Sequence, residues 1–503
     1  MNMTIAHMLH GVSGLTRYAM SLIVVVGLAG CVSYVGIHSD KHMAQSSDYS
    51  NAQSLPTEGG TWPPLDWPAH FGDSQLPALI DEAVASSPTL AEAQARIDKA
   101  SSYVEQVNAT TLPQVDARYS SARELLSGNT ILPPPVGGHW FNENNALVSA
   151  SYELDVWGRN REALRSSTSE QKATIAEAQQ ARLILVASVA HSYNRLALLY
   201  ALRDIAKHEV VSRKNIGQLT DIRVSHGLDN EVESRTVEVN VAASQTDVAE
   251  LDGEITVTRY QLAALLGDGP DRGPRITRPT LSAAVNLVLP TQLSADLLSR
   301  RPDLVAAHWR VDAATHDIKV AKADFFPNIN LNAAVGLDTF GFGKFFDSQS
   351  RQVQAGPAIH LPLFDGGALR AQLKDRYADY DTSVASYNQT LINALRDVAT
   401  QIVTIQATDA QIVTAKHASD ASRRAYELAL IRYKAGLDPQ LQVLSADLAQ
   451  LTQSQRLTML QMQRLDTQIS LYEALGGGFD TMGTPLASTK KQIAVAISVA
   501  ASH

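Results

Sequence analysis

The sequence predicts an α+β membrane protein, a trimeric twelve-stranded transmembrane β-barrel with four strands per chain, continued by a long α-helical coiled-coil tunnel. Three observations predict it. The chain is an internal duplication, each copy carries two alternating strand segments, and each copy holds a proline-free stretch far longer than a globular helix.

The duplication shows in fixed offsets. Pro88 and Pro302 are 214 residues apart, as are Pro113 and Pro327, and at that offset Leu90, Ala93, Arg96, Asp98, Ala100 and Ala109 match Leu304, Ala307, Arg310, Asp312, Ala314 and Ala323. Arg223, Gly227, Leu228 and Asp229 match Arg432, Gly436, Leu437 and Asp438 at an offset of 209, which Gly267 and Gly476 keep. Each copy reads helix, strand, strand, long helix, turn, helix.

The first helices are expected at about Leu76–Thr111 and Gln292–Phe325, each ending before a proline that cannot continue them. Strands are expected at 115–122, 145–154, 328–337 and 353–363. In 328–337, Ile329, Leu331, Ala333, Val335 and Leu337 alternate with Asn328, Asn330 and Asn332; the weakest alternation is in 115–122. Strands of about 10 residues with one apolar face suit a barrel wall, although a soluble sandwich shows the same pattern. Four strands are too few to close, whereas three chains supply an even-numbered ring without edges. The joining stretches, 123–144 and 338–352, hold Gly, Pro and aromatics, including Phe340, Phe342, Phe345 and Phe346, and read as long loops on the outer side.

Residues 158–226 and 367–435 lack proline; each is about 69 residues and would reach ~100 Å as a helix. Leu391, Leu395, Val398, Ile402, Ile405 and Ile412 follow alternating steps of four and three, with Asp409 as the polar exception. Leu441, Leu444, Leu448, Leu451, Met462, Leu465, Ile469 and Tyr472 extend the same heptad seam, which packs as a left-handed coiled coil. A soluble rod would show such seams too. The shorter helices, 76–111 and 229–266, are each about half as long, so a pair laid end to end makes a composite strut.

At the N-terminus Arg17 precedes an apolar run that ends Leu28-Ala29-Gly30-Cys31. The run is too short for a bilayer span and fits a signal peptide, residues 1–30. L-A-G-C resembles a lipobox, in which the thiol of Cys31, the single cysteine of the chain, carries the lipid. Val32 follows in place of the aspartate that marks inner-membrane retention, which favours the outer membrane. The expected order is then a lipid-anchored extended segment 31–75, a first repeat 76–270, a linker 271–291, a second repeat 292–478 and a tail 479–503.

A net charge of −9 argues against nucleic-acid binding, which needs a cationic face. The sequence carries no metalloprotease, serine-hydrolase or phosphate-loop motif, and its 14 histidines show no ligand spacing, so neither enzyme chemistry, cofactor nor metal is expected. A pore-free periplasmic scaffold is the competing binding-protein reading.

Four stretches resemble the TolC-like outer-membrane factor family, in its NodT-type efflux lipoprotein form. They are Arg301-Pro302-Asp303-Leu304 with Ala321–Asn328, Tyr152–Arg159, Pro362–Gly367 and Leu471–Gly478. The resemblance implies a homotrimer with a barrel in outer-membrane lipid and a periplasmic tunnel. It also implies docking on a periplasmic membrane-fusion adaptor and an inner-membrane pump, often of the resistance-nodulation-division type.

A duct does no chemistry, so its sites are gates and docking surfaces. Gly227 and Gly436 permit the tip reversals. Arg223 and Arg432 precede them; Asp229, Glu231, Glu233 and Asp438 follow. One expectation is that the carboxylates ring a closed aperture while the arginines pair across neighbouring helices. The alternative is that the acids complement a helix N-terminus. The family often places aspartates six and nine residues past the second glycine, where this chain has Gln442 and Ser445. Gly227, Leu228, Tyr433, Gly436 and Leu437 are the expected adaptor contacts.

Overall fold

The structure, a computed structural model, describes residues 33–50, 54–55, 61–129, 131, 137–281, 297 and 299–479. Cys31, the signal segment and the tail from residue 480 lie outside the described residues.

The elements in chain order are α1 (Gln75–Ser86), α2 (Pro88–Ala109), β1 (Gln114–Leu125), β2 (Trp140–Glu153), α3 (Arg159–Ser225), α4 (Glu231–Leu265), α5 (Pro302–Ala323), β3 (Asn328–Phe340), β4 (Arg351–His360), α6 (Ala368–Lys434) and α7 (Gln440–Ala474). The helix expected at 76–111 is in fact two. Proline has no N–H and its ring clashes with the preceding turn, so Pro88 can only open α2; Ser87 before it is extended. Pro302 opens α5 in the same way; residues 299 and 300 before it are helical, so the helix expected at Gln292–Phe325 is interrupted at Arg301.

The chain divides into two compact units, and each takes residues from both sequence halves. The first contains the sheet, ordered β1-β2-β3-β4 and antiparallel throughout. The register sorts side chains by face. On one face Val115, Ala117 and Tyr119 lie opposite Ala150, Val148 and Ala146; Leu331, Ala333 and Val335 lie opposite Pro357, Ala355 and Val353. The other face carries every carboxylate of the four strands, Asp116, Glu124, Glu143, Glu153 and Asp338, together with Arg118, Asn330 and Asn332. The fourth strand stops at His360, so Leu361 and Leu363 continue the alternation beyond the ladder. Beside the sheet, Tyr34 meets Phe325 edge-on at 5.4 Å and packs with Ile318, Leu373 and Tyr377.

The second unit is a helical core. α1 gives Leu76, Leu79 and Ile80, α3 gives Val189, Tyr193, Leu196 and Leu199, and α7 gives Leu465, Ile469 and Tyr472. Trp67 stacks on Tyr472 with ring centroids 4.9 Å apart. Each such side chain contributes about 1.5–3 kcal/mol on burial. One 18-residue stretch of α3 is apolar enough to cross a membrane, but it is mostly buried in the chain. The heptad seam needs revision near the start of α7: Gln440, Val443 and Asp447 are buried, while Leu441 and Leu448 are exposed in the single chain. Apolar residues therefore line two stripes there, and one of them has no partner within the protomer.

Two equivalent joints hold this unit. At the first, Ser86 Oγ donates to the Leu266 carbonyl at 2.6 Å, and a Cβ on Gly267 would fall 2.5 Å from the Ser86 carbonyl oxygen. At the second, Arg301 donates to the Ala474 carbonyl at 3.0 Å and grips Asp303 with two bonds of 3.0 and 2.7 Å. A Cβ on Gly476 would fall 1.9 Å from the Arg300 carbonyl oxygen, at a φ of +86°. Gly476→Ala is expected to cost at least about 2 kcal/mol, because backbone must move. Gly227→Ala meets nothing within 4 Å at φ +68°, and is expected to cost about 1 kcal/mol for the left-handed backbone alone. Thermal unfolding of the two purified variants measures the difference.

Candidate functional site

The helical hairpins α3–α4 and α6–α7 end in matching turns. Gly227 has φ +68° and Gly436 φ +73°, a region open to glycine at little cost. The Leu228 amide reaches back to the Arg223 carbonyl at 2.9 Å, and the Leu437 amide to the Arg432 carbonyl at 2.9 Å, so each turn closes with the six-to-one bond of a Schellman motif. Asn230 then caps α4, accepting from the Val232 amide at 2.7 Å, while Glu233 accepts from the Asn230 amide at 3.1 Å.

Each arginine turns onto the aspartate just past its own glycine. Arg223 holds Asp229 with bonds of 2.8 and 3.1 Å, and Arg432 holds Asp438 with bonds of 2.6 and 2.9 Å. The expectation is that the arginines pair across neighbouring helices; within the chain both carboxylates are held locally, six residues on. The forks are planar and two-pronged, which fixes their geometry. One link does cross between the hairpins. Arg223 donates to the Tyr433 carbonyl at 3.3 Å and lies 4.6 Å over its ring, and the Tyr433 hydroxyl donates to Asp229 at 2.7 Å. The guanidinium of Arg223 and the tyrosine hydroxyl hold the Asp229 carboxyl below its usual range against the burial that raises it. Burial pushes the Tyr433 phenol up.

Tyr433 is fully buried, against Ile216, Val237 and Val443, so its side chain is not an adaptor contact as expected; it is the bolt between the hairpins. Gln440 donates to Thr220 Oγ1 at 2.7 Å beneath it. By contrast Leu228 and Leu437 are 65% and 67% exposed. Glu231 is exposed, Glu233 is engaged as a helix cap, and Gln442 and Ser445 are exposed, with Ser445 Oγ bonded to the Leu441 carbonyl at 2.8 Å. The second fork is solvent-exposed on its arginine side, where ion pairs contribute little. The first is shielded and joins two hairpins, so it dominates. Arg223→Ala with Arg432→Ala is expected to raise single-channel conductance in planar bilayers; unchanged conductance would show that the forks do not hold the aperture.

Further back along α3, ~15–21 Å from the first fork at 1.5 Å per residue, sits a cluster that the sequence reading missed. Arg213 Nε lies 2.5 Å from Glu209 and 3.3 Å from Asp447, and Nη1 donates to Ser244 Oγ at 2.9 Å and the Asn240 carbonyl at 3.1 Å. One partly buried cation thus faces two buried carboxyls. Desolvation and the neighbouring Asp447 push Glu209 up to about 8 from its ordinary 4.5. The folded chain keeps that proton between about pH 4.5 and about pH 8, whereas an unfolded chain loses it near 4.5. The stability Glu209 brings is therefore complete below about pH 4.5 and falls as pH rises through this window. The midpoint of thermal unfolding is expected to fall between about pH 5.5 and about pH 8.5, and Glu209→Gln, which stays neutral, is expected to flatten that fall.

A strand wall with one apolar face, joined to helices of ~100 Å that reverse at glycine tips, defines a channel of the outer membrane with a periplasmic helical tunnel. The chain belongs to the family described as outer membrane efflux protein, which it matches over residues 79–268 and 293–477. It is 33% identical over 434 residues to the multidrug resistance outer membrane protein MdtP of Shigella flexneri, covering 83% of this chain and 87% of that one. It is 34% identical over 373 residues to the fusaric acid resistance protein FusA of Burkholderia cepacia, covering 72% and 69%. Among solved structures, the outer membrane protein VceC of Vibrio cholerae superposes with a TM-score of 0.78 at 33% identity, over 83% of this chain and all of that one. The outer-membrane channel OprN gives 0.80 at 28% identity, over 89% and 99%. The fold is thus that of trimeric efflux channels, each protomer lending four strands to a twelve-stranded barrel that continues as a helical tunnel. Family members are channel proteins, and they work with an adaptor and an inner-membrane pump.

Proposed function

We propose that this chain is the exit duct of a three-part efflux assembly, lipid-anchored at Cys31 and docked at its hairpin tips on a membrane-fusion adaptor. The duct conducts passively. Small toxic compounds reach it from the adaptor and an inner-membrane pump of the resistance-nodulation-division type, and the pump selects what is exported. In this reading 76–270 and 292–478 are the two copies of one building unit, joined by 271–291.

The observation that carries the reading is the tip pair itself. Two Schellman turns present Leu228 and Leu437 to solvent, and each is braced from behind by an arginine–aspartate fork. Exposed leucines at the end of a rigid hairpin are what an apolar partner surface would grip. Gly227 and Gly436 shape the turns, so they belong to the contact through the backbone. The exposed Glu231 and the uncharged Gln442 and Ser445 would face the aperture, which leaves it less acidic than the aspartates usual in the family would make it. Support for the anchor comes from the other end. The Ser33 carbonyl accepts from Arg370 and Tyr34 is clamped between Phe325 and Phe326, next to the start of β3, so the chain two residues after Cys31 sits where strand meets helix.

Leu228→Asp with Leu437→Asp is expected to abolish export, read as loss of resistance in a deletion strain, while the heat-modifiable trimer stays in the outer membrane. Loss of the trimer would make the tips structural instead. Cys31→Ser is expected to remove palmitate labelling.

A further inference from the structure

The β3–β4 connection folds back over the apolar side of the sheet. Phe345 is buried, packing edge-on against Tyr119 at 6.2 Å and against Phe342 and Phe346 at 6.2 and 5.1 Å. Tyr119 stands on β1, two strands away, so the connection crosses β2. Beneath it is Asn144, a polar side chain on the apolar face that is nevertheless 0% exposed. Its Oδ1 accepts from Ser121 Oγ at 2.9 Å and from Tyr119 Oη at 3.2 Å. A bare amide on a lipid-facing wall would cost several kcal/mol, so the flap and these bonds together make the position tolerable.

The upper side of the flap remains uncovered. Phe346 is 88% and Phe342 65% exposed, and Lys344 between them is exposed too. The register adds two guanidinium groups on this same face: Arg351, level with Leu337 at the base of the flap, and Arg123, nearer the outer end and 5.5 Å over the Trp140 ring. No strand carboxylate shares this face, since all lie on the opposite one. The flap's own acid, Asp347, is engaged by the Gln349 amide at 3.1 Å. The outer rim of the lipid-facing wall is therefore both cationic and aromatic, at the end of the sheet away from the helices.

We propose that this collar of Arg123, Trp140, Phe342, Lys344, Phe346 and Arg351 is a docking site for a phosphorylated glycolipid of the outer leaflet. Its headgroup phosphates pair with the three cations, and its acyl chains lie along the two exposed phenylalanines. Charge complementarity selects this occupant. A neutral lipid would leave three cations facing hydrocarbon and headgroup without counter-charge, and a free anion would leave the phenylalanines uncovered. The inference rests on the barrel placement of the strands and is independent of adaptor, pump and tip docking.

The test uses the purified trimer in detergent and native mass spectrometry, with bis-phosphorylated lipid A, its phosphate-free form, phosphatidylglycerol and inorganic phosphate as separate probes. Bis-phosphorylated lipid A is expected to be retained in preference to the other three. Arg123→Ala with Arg351→Ala is expected to weaken that retention about tenfold or more, while Arg118→Ala on the lumen face leaves it unchanged. Equal retention of phosphatidylglycerol or of the phosphate-free form would overturn the proposal, as would undiminished binding by the double arginine variant. Should that variant fail to form the heat-modifiable trimer, Phe342→Ser with Phe346→Ser gives the same reading through the acyl-chain contacts: lost retention supports the site and full retention overturns it.

Discussion

Backbone amides find no partner in hydrocarbon, and the sheet of this chain leaves two rows of them open, along β1 and β4. Everything larger follows from that constraint. A protomer cannot sit in lipid by itself; only the neighbouring copies can pair those edges, and closure in a ring of three removes them all. The face assignment follows too. With the edges sealed, the register leaves the Val115–Tyr119 and Leu331–Leu337 side outward and the carboxylate-bearing side around the lumen. The amide that is fully buried on the outer side, Asn144, lies under a flap.

Helix length comes from proline placement. A proline opens α2 and another opens α5, yet none interrupts α3 or α6, so the first two remain short and the latter run on for 67 residues each. Both short helices begin beside joints where glycine admits a neighbouring carbonyl. The duplicated joints have diverged in chemistry: a serine hydroxyl closes one, an arginine with its aspartate closes the other.

Much of this was legible in the residues. Alternation located all four strands, including the weak one at β1, and proline-free length located the long helices to within a residue at each end. The turns at Gly227 and Gly436 were legible because glycine takes their left-handed backbone at little cost. What escaped were properties of packing between helices distant in sequence. Tyr433 looks like any tip residue until α3 and α4 close over it, and the Glu209–Arg213–Asp447 cluster joins positions more than two hundred residues apart. The break at Ser87 could have been read from Pro88 alone, since a proline inside a helical pattern ends or kinks it. The seam of α7 misled for another reason. Its apolar residues serve two neighbours, and one period cannot describe both stripes.

Threefold symmetry gives the fork at Arg223 a consequence of its own. A single codon change lands at three places around the circumference; were the three forks to clasp the aperture, it would be shut only when every clasp is engaged. With independent clasps the fraction of time the ring is sealed would then vary as the cube of what one protomer achieves alone. A modest loosening of Asp229 or of the Tyr433 bolt would then make the pore disproportionately leaky, and a partner that loosened a single clasp would already unseal the ring.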